Sequence, residues 1–204
     1  MNTIALFPTF IHRSFVKDIS LCNRIEDAAR NIRDLRKGTF YRGDDNNFVT
    51  DDNLHELTEF SELCKMIIEE SAFAFDFYAA KRDRHYITSM WSYITTSNYS
   101  LSTHIHQNSF FSGVFYAKAP KNCGKLRLMD PRPAKNIINP EYERVNDANM
   151  GIYELHPTTG EMLMFPSWLP HDVFAGQSEE ERISVAFNIM MKGTYKYHAQ
   201  SIVY

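Results

Sequence analysis

Two histidines separated by a single residue constrain this chain more than any other feature. His104 and His106 precede an apolar, β-branched and aromatic run at 110–116. Side chains at positions i and i+2 of a β-strand point to the same side of a sheet. The pattern therefore predicts that both imidazoles enter one cavity, with Ile105 pointing away, as in a sheet that presents two nitrogen ligands to one metal ion. Two unrelated histidines on a strand remain the alternative.

A third histidine and an arginine follow far downstream. His171 ends a turn bracketed by two prolines, which fix the backbone on either side and hold the histidine stiffly. Arg182 and Ser184 share the polar face of the next predicted strand. A guanidinium beside a hydroxyl is suited to hold a carboxylate. An ion pair between Arg182 and the adjacent Glu180 or Glu181 is the alternative reading of this segment.

Helical periodicity in the N-terminal third gives way to short strand patterns. Apolar residues recur every three or four positions over 21–35 and 57–78, which predicts two amphipathic helices, and the polar run 41–47 predicts a loop between them. From residue 86 onward, β-branched and aromatic runs predict roughly seven or eight strands, with a long irregular loop at 133–150. This order predicts an α+β fold in which helices cover one sheet of a barrel or jelly roll.

We expect one domain over residues 1–204. Its parts are a helical scaffold portion at 1–85, a jelly-roll core at 86–192 and a C-terminal tail at 193–204. The tail contains three tyrosines, which indicates docking rather than disorder and would suit a homodimer; they are Tyr195, Tyr197 and Tyr204.

Composition excludes several classes of function. The net charge of -3 gives no signature of nucleic-acid or anionic-membrane binding. Cys22, Cys64 and Cys123 are far apart and form no C-x-x-C pair, so a disulfide framework and a zinc knuckle are both disfavoured. The N-terminus has no signal-peptide pattern and no apolar run approaches the length of a membrane span. We therefore expect a cytoplasmic protein.

Three motifs together resemble the iron(II)/2-oxoglutarate-dependent oxygenases. They read HIHQNSFFSGVFY at 104–116, FPSWLPH at 165–171 and EERISVAFN at 180–188. The pattern is most similar to an oxygenase family found in bacteria and their phages, and the similarity extends from about residue 91 to about residue 192. The resemblance implies a double-stranded β-helix, which is a jelly roll with helices packed on one sheet.

The resemblance also implies the site. His104 and His171 would bind Fe(II), and His106 would occupy the next position along the metal-binding strand. Arg182 and Ser184 would bind the distal carboxylate of 2-oxoglutarate. The wider superfamily has a carboxylate where this chain has His106, and three neutral imidazoles also tolerate zinc, nickel or copper.

Two aspartates are candidates for the absent carboxylate. They are Asp130 and Asp172, although Asp172 should face away from its neighbour His171 in a strand. Further pocket candidates, for which core packing or a turn position is the alternative, are Tyr93, Asn108, Tyr116, Trp168 and Asn188.

The implied activity is that of an oxidoreductase, a dioxygenase acting as a hydroxylase. It would couple the oxidative decarboxylation of 2-oxoglutarate by O2 to oxidation of a C–H bond in an unidentified substrate. Two other functions stay open. One is a cupin-like metalloenzyme that does not use 2-oxoglutarate, which gives Arg182 and Ser184 no role. The other is a non-catalytic β-sandwich that binds a partner.

Overall fold

The computed structural model describes residues 2–35, 38–41, 44–197 and 200–203. Its helices are α1 (Ser20–Asp34) and α2 (Ser61–Phe77), with short 3-10 turns at Leu54–Glu56, Thr58–Phe60 and Lys135–Ile137. Its strands are β1 (His12–Phe15), β2 (Gly38–Tyr41), β3 (Asp44–Thr50), β4 (Arg84–Thr95), β5 (Leu101–His104), β6 (Phe111–Lys118), β7 (Lys125–Met129), β8 (Ile152–Leu155), β9 (Glu161–Pro166), β10 (His171–Phe174), β11 (Arg182–Lys192), β12 (Thr194–Tyr197) and β13 (Gln200–Val203).

Two antiparallel sheets form the body of the described chain. The larger has seven strands in the order β1-β9-β6-β11-β4-β3-β2, and the smaller has four in the order β5-β10-β7-β8. Side chains of both sheets meet in one apolar cluster, in which Tyr116 and Phe165 of the larger sheet join Leu126 and Leu128 of the smaller. Two facing sheets with strands that alternate between them make a double-stranded β-helix, and this confirms the predicted jelly roll.

Strand β11 shows why the helices pack where they do. The side chains of Ile183, Val185, Phe187 and Ile189 alternate along it and are fully buried. They join the core cluster that contains the apolar faces of α1 and α2. Burying each of these side chains contributes roughly 1.5–3 kcal/mol. The opposite face of β11 is therefore left to line the space between the sheets, as the alternation predicts.

The two helices predicted in the N-terminal third are present as α1 and α2, but the segment between them differs from the prediction. Residues 42 and 43 of the expected polar loop at 41–47 lie outside the described residues; for the rest the expected loop is wrong, because they belong to β2 and β3, which pair and extend the larger sheet. Phe48 is fully buried and pairs with Ile94 of β4. The polar residues 44–47 at the start of β3 conceal this strand in the sequence. Strand β1 also adds to the larger sheet by pairing with β9.

The tail at 193–204 returns on itself as the β12–β13 hairpin. The hydroxyl of Tyr195 donates to the Met191 carbonyl at 2.6 Å, and its ring packs on the core. Tyr204 lies outside the described residues. In the described part of the chain, no helix combines the length and the apolar character needed to cross a membrane.

Candidate metal centre and cosubstrate pocket

His104 and His171 are direct neighbours across two strands of the smaller sheet. β5 and β10 run antiparallel with these residues in register, and the ring centroids lie 4.4 Å apart. His171 opens β10 immediately after the proline-bracketed turn, and Pro170 is fixed there by its carbonyl, which accepts from the Met129 amide at 2.9 Å. His171 is buried, whereas His104 lies at the exposed end of β5.

His106 reaches the same place by a different route from the one expected. The strand predicted to carry both histidines ends at His104, so His106 lies beyond it. Its amide donates to the Ser167 carbonyl at 3.0 Å, which fixes the backbone beside the turn that carries His171. The His106 ring lies between Trp91, at 5.8 Å and 19°, and His171, at 5.1 Å and 15°. Contacts with these two nearly parallel rings, and not a strand, therefore hold this ring.

Backbone carbonyls determine which nitrogen of two rings is free. Nδ1 of His171 lies 2.9 Å from the Leu169 carbonyl, and Nδ1 of His104 lies 2.7 Å from the Ser102 carbonyl. A carbonyl only accepts, so each Nδ1 carries the proton and each Nε2 keeps its lone pair. One nitrogen from each of the three histidines lies within 4.8 Å of the others. Such a cluster is suited to a divalent transition metal.

Burial keeps two of these imidazoles neutral. It lowers the pKa of His171 to about 4, against the opposing effect of the hydrogen bond to Leu169. It also lowers the pKa of His106 to about 4, aided by His104 and opposed by the nearby side-chain amide of Asn188. Neutral imidazole is the form that binds metal, so the rings need no deprotonation at neutral pH.

Neither candidate carboxylate joins the histidines. Asp172 accepts two hydrogen bonds from Arg127, both at 2.7 Å, and this contact holds the pKa of its carboxyl below its ordinary value. The Thr103 hydroxyl also donates to it, at 3.1 Å. Asp130 is held by Arg132 at 2.6 Å. Within the described residues, the cluster of metal-binding side chains at this site therefore consists of histidines alone.

Arg182 lies deep between the sheets with an unused donor. Its side chain is buried, Nη1 donates to the Gly124 carbonyl at 3.1 Å, and Nε has no partner among the described residues. The local ion pair considered from the sequence is not formed there, because Glu181 instead pairs with Arg30 and Arg33 of α1. A buried guanidinium with a free donor favours an anionic ligand, since leaving it unpaired is costly.

The histidine cluster and Arg182 line one cavity of about 60 Å³. Burial raises the pKa of the Tyr116 phenol, although the charge of Arg182 opposes the shift, so this phenol stays a neutral donor. The histidine nitrogens at one part of the wall suit a metal ion, and the free guanidinium donor at another part suits a carboxylate. The cavity therefore fits a ligand that chelates a metal at one end and carries a carboxylate at the other. The other residues that line the cavity include Trp91, Tyr93, Leu101, Ser112, Gly113, Val114, Leu126, Phe165, Val173, Ser184 and Ala186.

The remaining sequence candidates fall in different places. Tyr93 and Tyr116 line the cavity. Asn108 does not: it is exposed in a turn with φ of 57°, a backbone conformation that asparagine tolerates well. Trp168 is 52% exposed and lies outside the lining, because it occupies the turn after β9. Asn188 does not line the cavity: its side-chain amide accepts from the Ser112 hydroxyl at 2.7 Å and donates to the Ser89 hydroxyl at 3.0 Å.

Trp91 is the residue that sequence reasoning missed. It stacks on His106 and lines the cavity beside Tyr93. The signal was present, because Trp91 and Tyr93 are two positions apart in one predicted strand and so share a face. Nothing in the sequence showed that this face is the one turned toward the histidines.

Comparison with known proteins identifies one matching family. Residues 89–188 match the sequence model of a family described as "Putative 2OG-Fe(II) oxygenase". This range contains all three histidines and Arg182. No protein among curated sequences matches the chain.

Solved structures of low sequence identity share the fold. A Pseudomonas putida prolyl-4-hydroxylase is 13% identical with a TM-score of 0.62, over 91% of this chain and 94% of that one. The α-ketoglutarate-dependent epimerase SnoN from nogalamycin biosynthesis is 10% identical with a TM-score of 0.68, over 94% and 83%. A viral collagen prolyl hydroxylase from Paramecium Bursaria Chlorella virus-1 is 12% identical with a TM-score of 0.57, over 88% and 94%.

Proposed function

Residues 89–188 belong to a family of 2OG-Fe(II) oxygenases, and from this premise we propose that the protein is a hydroxylase whose Fe(II) is held by three histidines. The ligands are His104, His106 and His171, and backbone carbonyls at Nδ1 leave the Nε2 lone pairs of His104 and His171 free for the metal. The bound iron supplies the redox chemistry that couples oxidative decarboxylation of 2-oxoglutarate by O2 to oxidation of a substrate C–H bond. The prime substrate is unidentified.

The unpartnered Nε of Arg182 is the observation that carries this proposal. A buried cation without a full set of acceptors costs free energy, and a carboxylate removes that cost by accepting two parallel hydrogen bonds. Arg182 lines the same cavity as the three histidines. We assign Arg182 and Ser184 to the distal carboxylate of 2-oxoglutarate, with the neutral phenol of Tyr116 as a further donor.

The chain's own contribution is positioning and the exclusion of water. Leu126, Phe165 and Val173 supply apolar wall of the cavity that Arg182 and the histidines share. A cosubstrate held at both ends in such a cavity loses its rotational freedom before the reaction. The apolar wall also keeps the electrostatic attraction between the guanidinium and the carboxylate strong, because the local dielectric is low.

The second candidate is a cupin-like metalloenzyme that does not use 2-oxoglutarate. It is favoured because the cluster of possible metal ligands among the described residues contains no carboxylate. It leaves the buried donor of Arg182 unexplained, so we prefer the first proposal. Aerobic incubation of the wild-type protein with Fe(II) and 2-oxoglutarate, with succinate measured by chromatography, separates them. We expect succinate that depends on both additions. Stoichiometric Fe(II) binding without any 2-oxoglutarate binding would establish the second candidate.

Two further expectations remain predictions. The aromatic tail at 193–204 is the reason to expect a homodimer, which light scattering coupled to size-exclusion chromatography tests. The cytoplasmic location is tested by fractionating cells that express the full chain.

A further inference from the structure

Ser167 holds both ends of the loop that carries His106. This loop follows β5 and runs from His106 to Phe110, immediately before β6. At its start, the His106 amide donates to the Ser167 carbonyl at 3.0 Å, and at its end the Ser167 amide donates to the Phe110 carbonyl at 3.1 Å. Both backbone groups of one residue are therefore committed to one loop, and a displacement of Ser167 displaces His106 with it.

A buried chain of side-chain hydrogen bonds holds Ser167 in turn. The hydroxyls of Ser167 and Ser112 lie 2.8 Å apart, and the Ser112 hydroxyl donates to Oδ1 of Asn188 at 2.7 Å. Because Ser112 uses its proton there, Ser167 is the donor of the first bond. Nδ2 of Asn188 donates to the Ser89 hydroxyl at 3.0 Å. The turn after β9 is thus tied to three neighbouring strands of the larger sheet, β6, β11 and β4.

The turn that contains Ser167 also leads to His171. Two residues after Ser167, the Leu169 carbonyl accepts from Nδ1 of His171 at 2.9 Å. The Nε2 atoms of His106 and His171 lie 3.2 Å apart, so the turn lies against two of the three histidines at once. Metal–ligand distances are fixed to within about 0.2 Å, and a small shift of one ring against the other therefore costs metal affinity.

We propose that Ser167 is a positioning residue whose buried hydroxyl fixes the turn after β9, and through this turn the backbone of His106 against His171. The inference rests on the metal site of the proposed function. His104 has the pairing of β5 with β10 to hold its backbone, whereas His106 lies beyond the end of β5. The two backbone bonds to Ser167 do for His106 what strand pairing does for His104.

Amide hydrogen exchange reads the hold on His106 without metal or activity. It is measured by NMR on metal-free, ¹⁵N-labelled protein. We expect the His106 amide to exchange about fivefold faster in Ser167→Ala than in the wild type, because the loss of one hydrogen bond makes local opening easier. Ser71→Ala is the matched control and should leave this rate unchanged. Ser71 is a fully buried serine of α2 whose hydroxyl donates to the Ile68 carbonyl at 3.0 Å.

Metal affinity in a double-mutant cycle shows which histidine Ser167 positions. Affinity is measured by titration with Co(II) followed by visible absorption. We expect Ser167→Ala to weaken Co(II) binding by about threefold to tenfold, which corresponds to the contribution of one hydrogen bond. In the His106→Ala background the same substitution should leave the Co(II) affinity unchanged, because the ring that Ser167 positions is absent.

The outcomes separate this inference from the proposed function. If Ser167→Ala keeps the wild-type exchange rate and Co(II) affinity, its hydroxyl serves only the stability of the fold and the inference is overturned. An equal loss of affinity in the His106→Ala background also overturns it, since Ser167 would then act through His171. If Ser167→Ala does not fold, Ser112→Ala, which removes the acceptor of the Ser167 hydroxyl, is measured with the same expectations. A wild type that shows the dependence on Ser167 but forms no succinate contradicts the proposed function and leaves the positioning role intact.

Discussion

Nε2 of His106 lies 3.2 Å from Nε2 of His171, while the Leu169 carbonyl accepts the single ring proton of His171. The nitrogen of His171 that faces His106 therefore carries no proton and presents a lone pair. Without metal, an Nε2–H of His106 can donate to this lone pair; once that proton moves to Nδ1, a cation between the two nitrogens can bind both lone pairs. The tightest contact of the cluster thus predicts that the folded protein gains stability when a metal binds.

We expect Co(II) or Fe(II) to raise the melting temperature of the wild-type protein under anaerobic conditions. A ligand present at about 100 times its dissociation constant adds roughly 2.7 kcal/mol of stability. His171→Ala removes the most buried ligand and should abolish the shift. Differential scanning fluorimetry with and without chelator checks this, and His156→Ala, outside the cluster, serves as the control. An equal shift in His171→Ala and the wild type would contradict the assigned ligands.

Arg182→Met should weaken 2-oxoglutarate binding and leave metal binding unchanged. Methionine fills the space of the aliphatic stem but removes the charge, and a hydrogen bond to a charged group is worth roughly 1.5–3 kcal/mol, or about 10–100-fold in affinity. Anaerobic calorimetry on Co(II)-loaded protein measures this. Arg127→Met is the matched control, because Arg127 is bound to Asp172 and does not line the cavity. Unchanged 2-oxoglutarate affinity in Arg182→Met would remove the anchor assignment.

Gly124→Ala tests the same anchor without touching its charge. A Cβ added at Gly124 would lie 2.9 Å from Nη1 of Arg182 and 2.8 Å from the Phe174 carbonyl, so the guanidinium has to move. We expect about a tenfold weaker 2-oxoglutarate affinity, since displaced hydrogen bonds weaken steeply with geometry. The comparison variant is Gly151→Ala, whose added Cβ meets nothing closer than Nζ of Lys135 at 3.6 Å. Equal affinity in the two variants would show that the position of Arg182 tolerates the change.

Much of this site could be predicted from the sequence, because strand alternation is strict. The apolar and polar faces of β11 are determined by alternation from Arg182 to Ile189, and the structure places them as the sequence indicates. The outward direction of Asp172 next to His171 follows from the same rule and is observed in its pairing with Arg127.

Other features depended on tertiary contacts that leave no local signal. We predicted that His106 lies in the same strand as His104, but β5 ends at His104. His106 therefore lies beyond the strand, where its ring stacks on Trp91. The pairing of β2 with β3 escaped prediction because residues 44–47 of β3 are polar, although Phe48 packs in the core. The sequence also could not show that Arg30 and Arg33 of a distant helix bind Glu181, which removes it as an ion-pair partner of Arg182 and leaves the ligand role of Arg182 a prediction.

Glu181 joins α1 to the start of β11, and its contribution should depend on pH. Burial opposes ionisation, but hydrogen bonds from Arg30 and Arg33 outweigh it and hold the pKa of Glu181 below its ordinary value. A carboxyl with a depressed folded-state pKa stabilises the fold above the unfolded pKa of about 4.3, and this stabilisation is lost as pH falls through the folded pKa. The wild type should therefore exceed Glu181→Gln in unfolding free energy by roughly 1 kcal/mol at pH 7.

Urea denaturation at pH 7 and in the acid range below pH 4 measures that difference. We expect it to shrink as the pH falls. Glu62→Gln is the control, because its ion pair with Arg24 is about half exposed on both sides and should contribute little at either pH. A difference that stays constant with pH would mean that Glu181 acts through packing and not through its charge.

Replacing His106 tests its role as the third ligand directly. His106→Ala leaves two imidazoles, whereas His106→Asp gives the two-histidine, one-carboxylate arrangement that non-haem iron oxygenases commonly use. An aspartate also adds a negative charge beside the cation, so we expect His106→Asp to bind Co(II) at least about tenfold more tightly than His106→Ala. Titration of both variants followed by visible absorption measures the ratio. If the two variants bind Co(II) equally well, position 106 contributes no ligand and the ion is held by His104 and His171 alone.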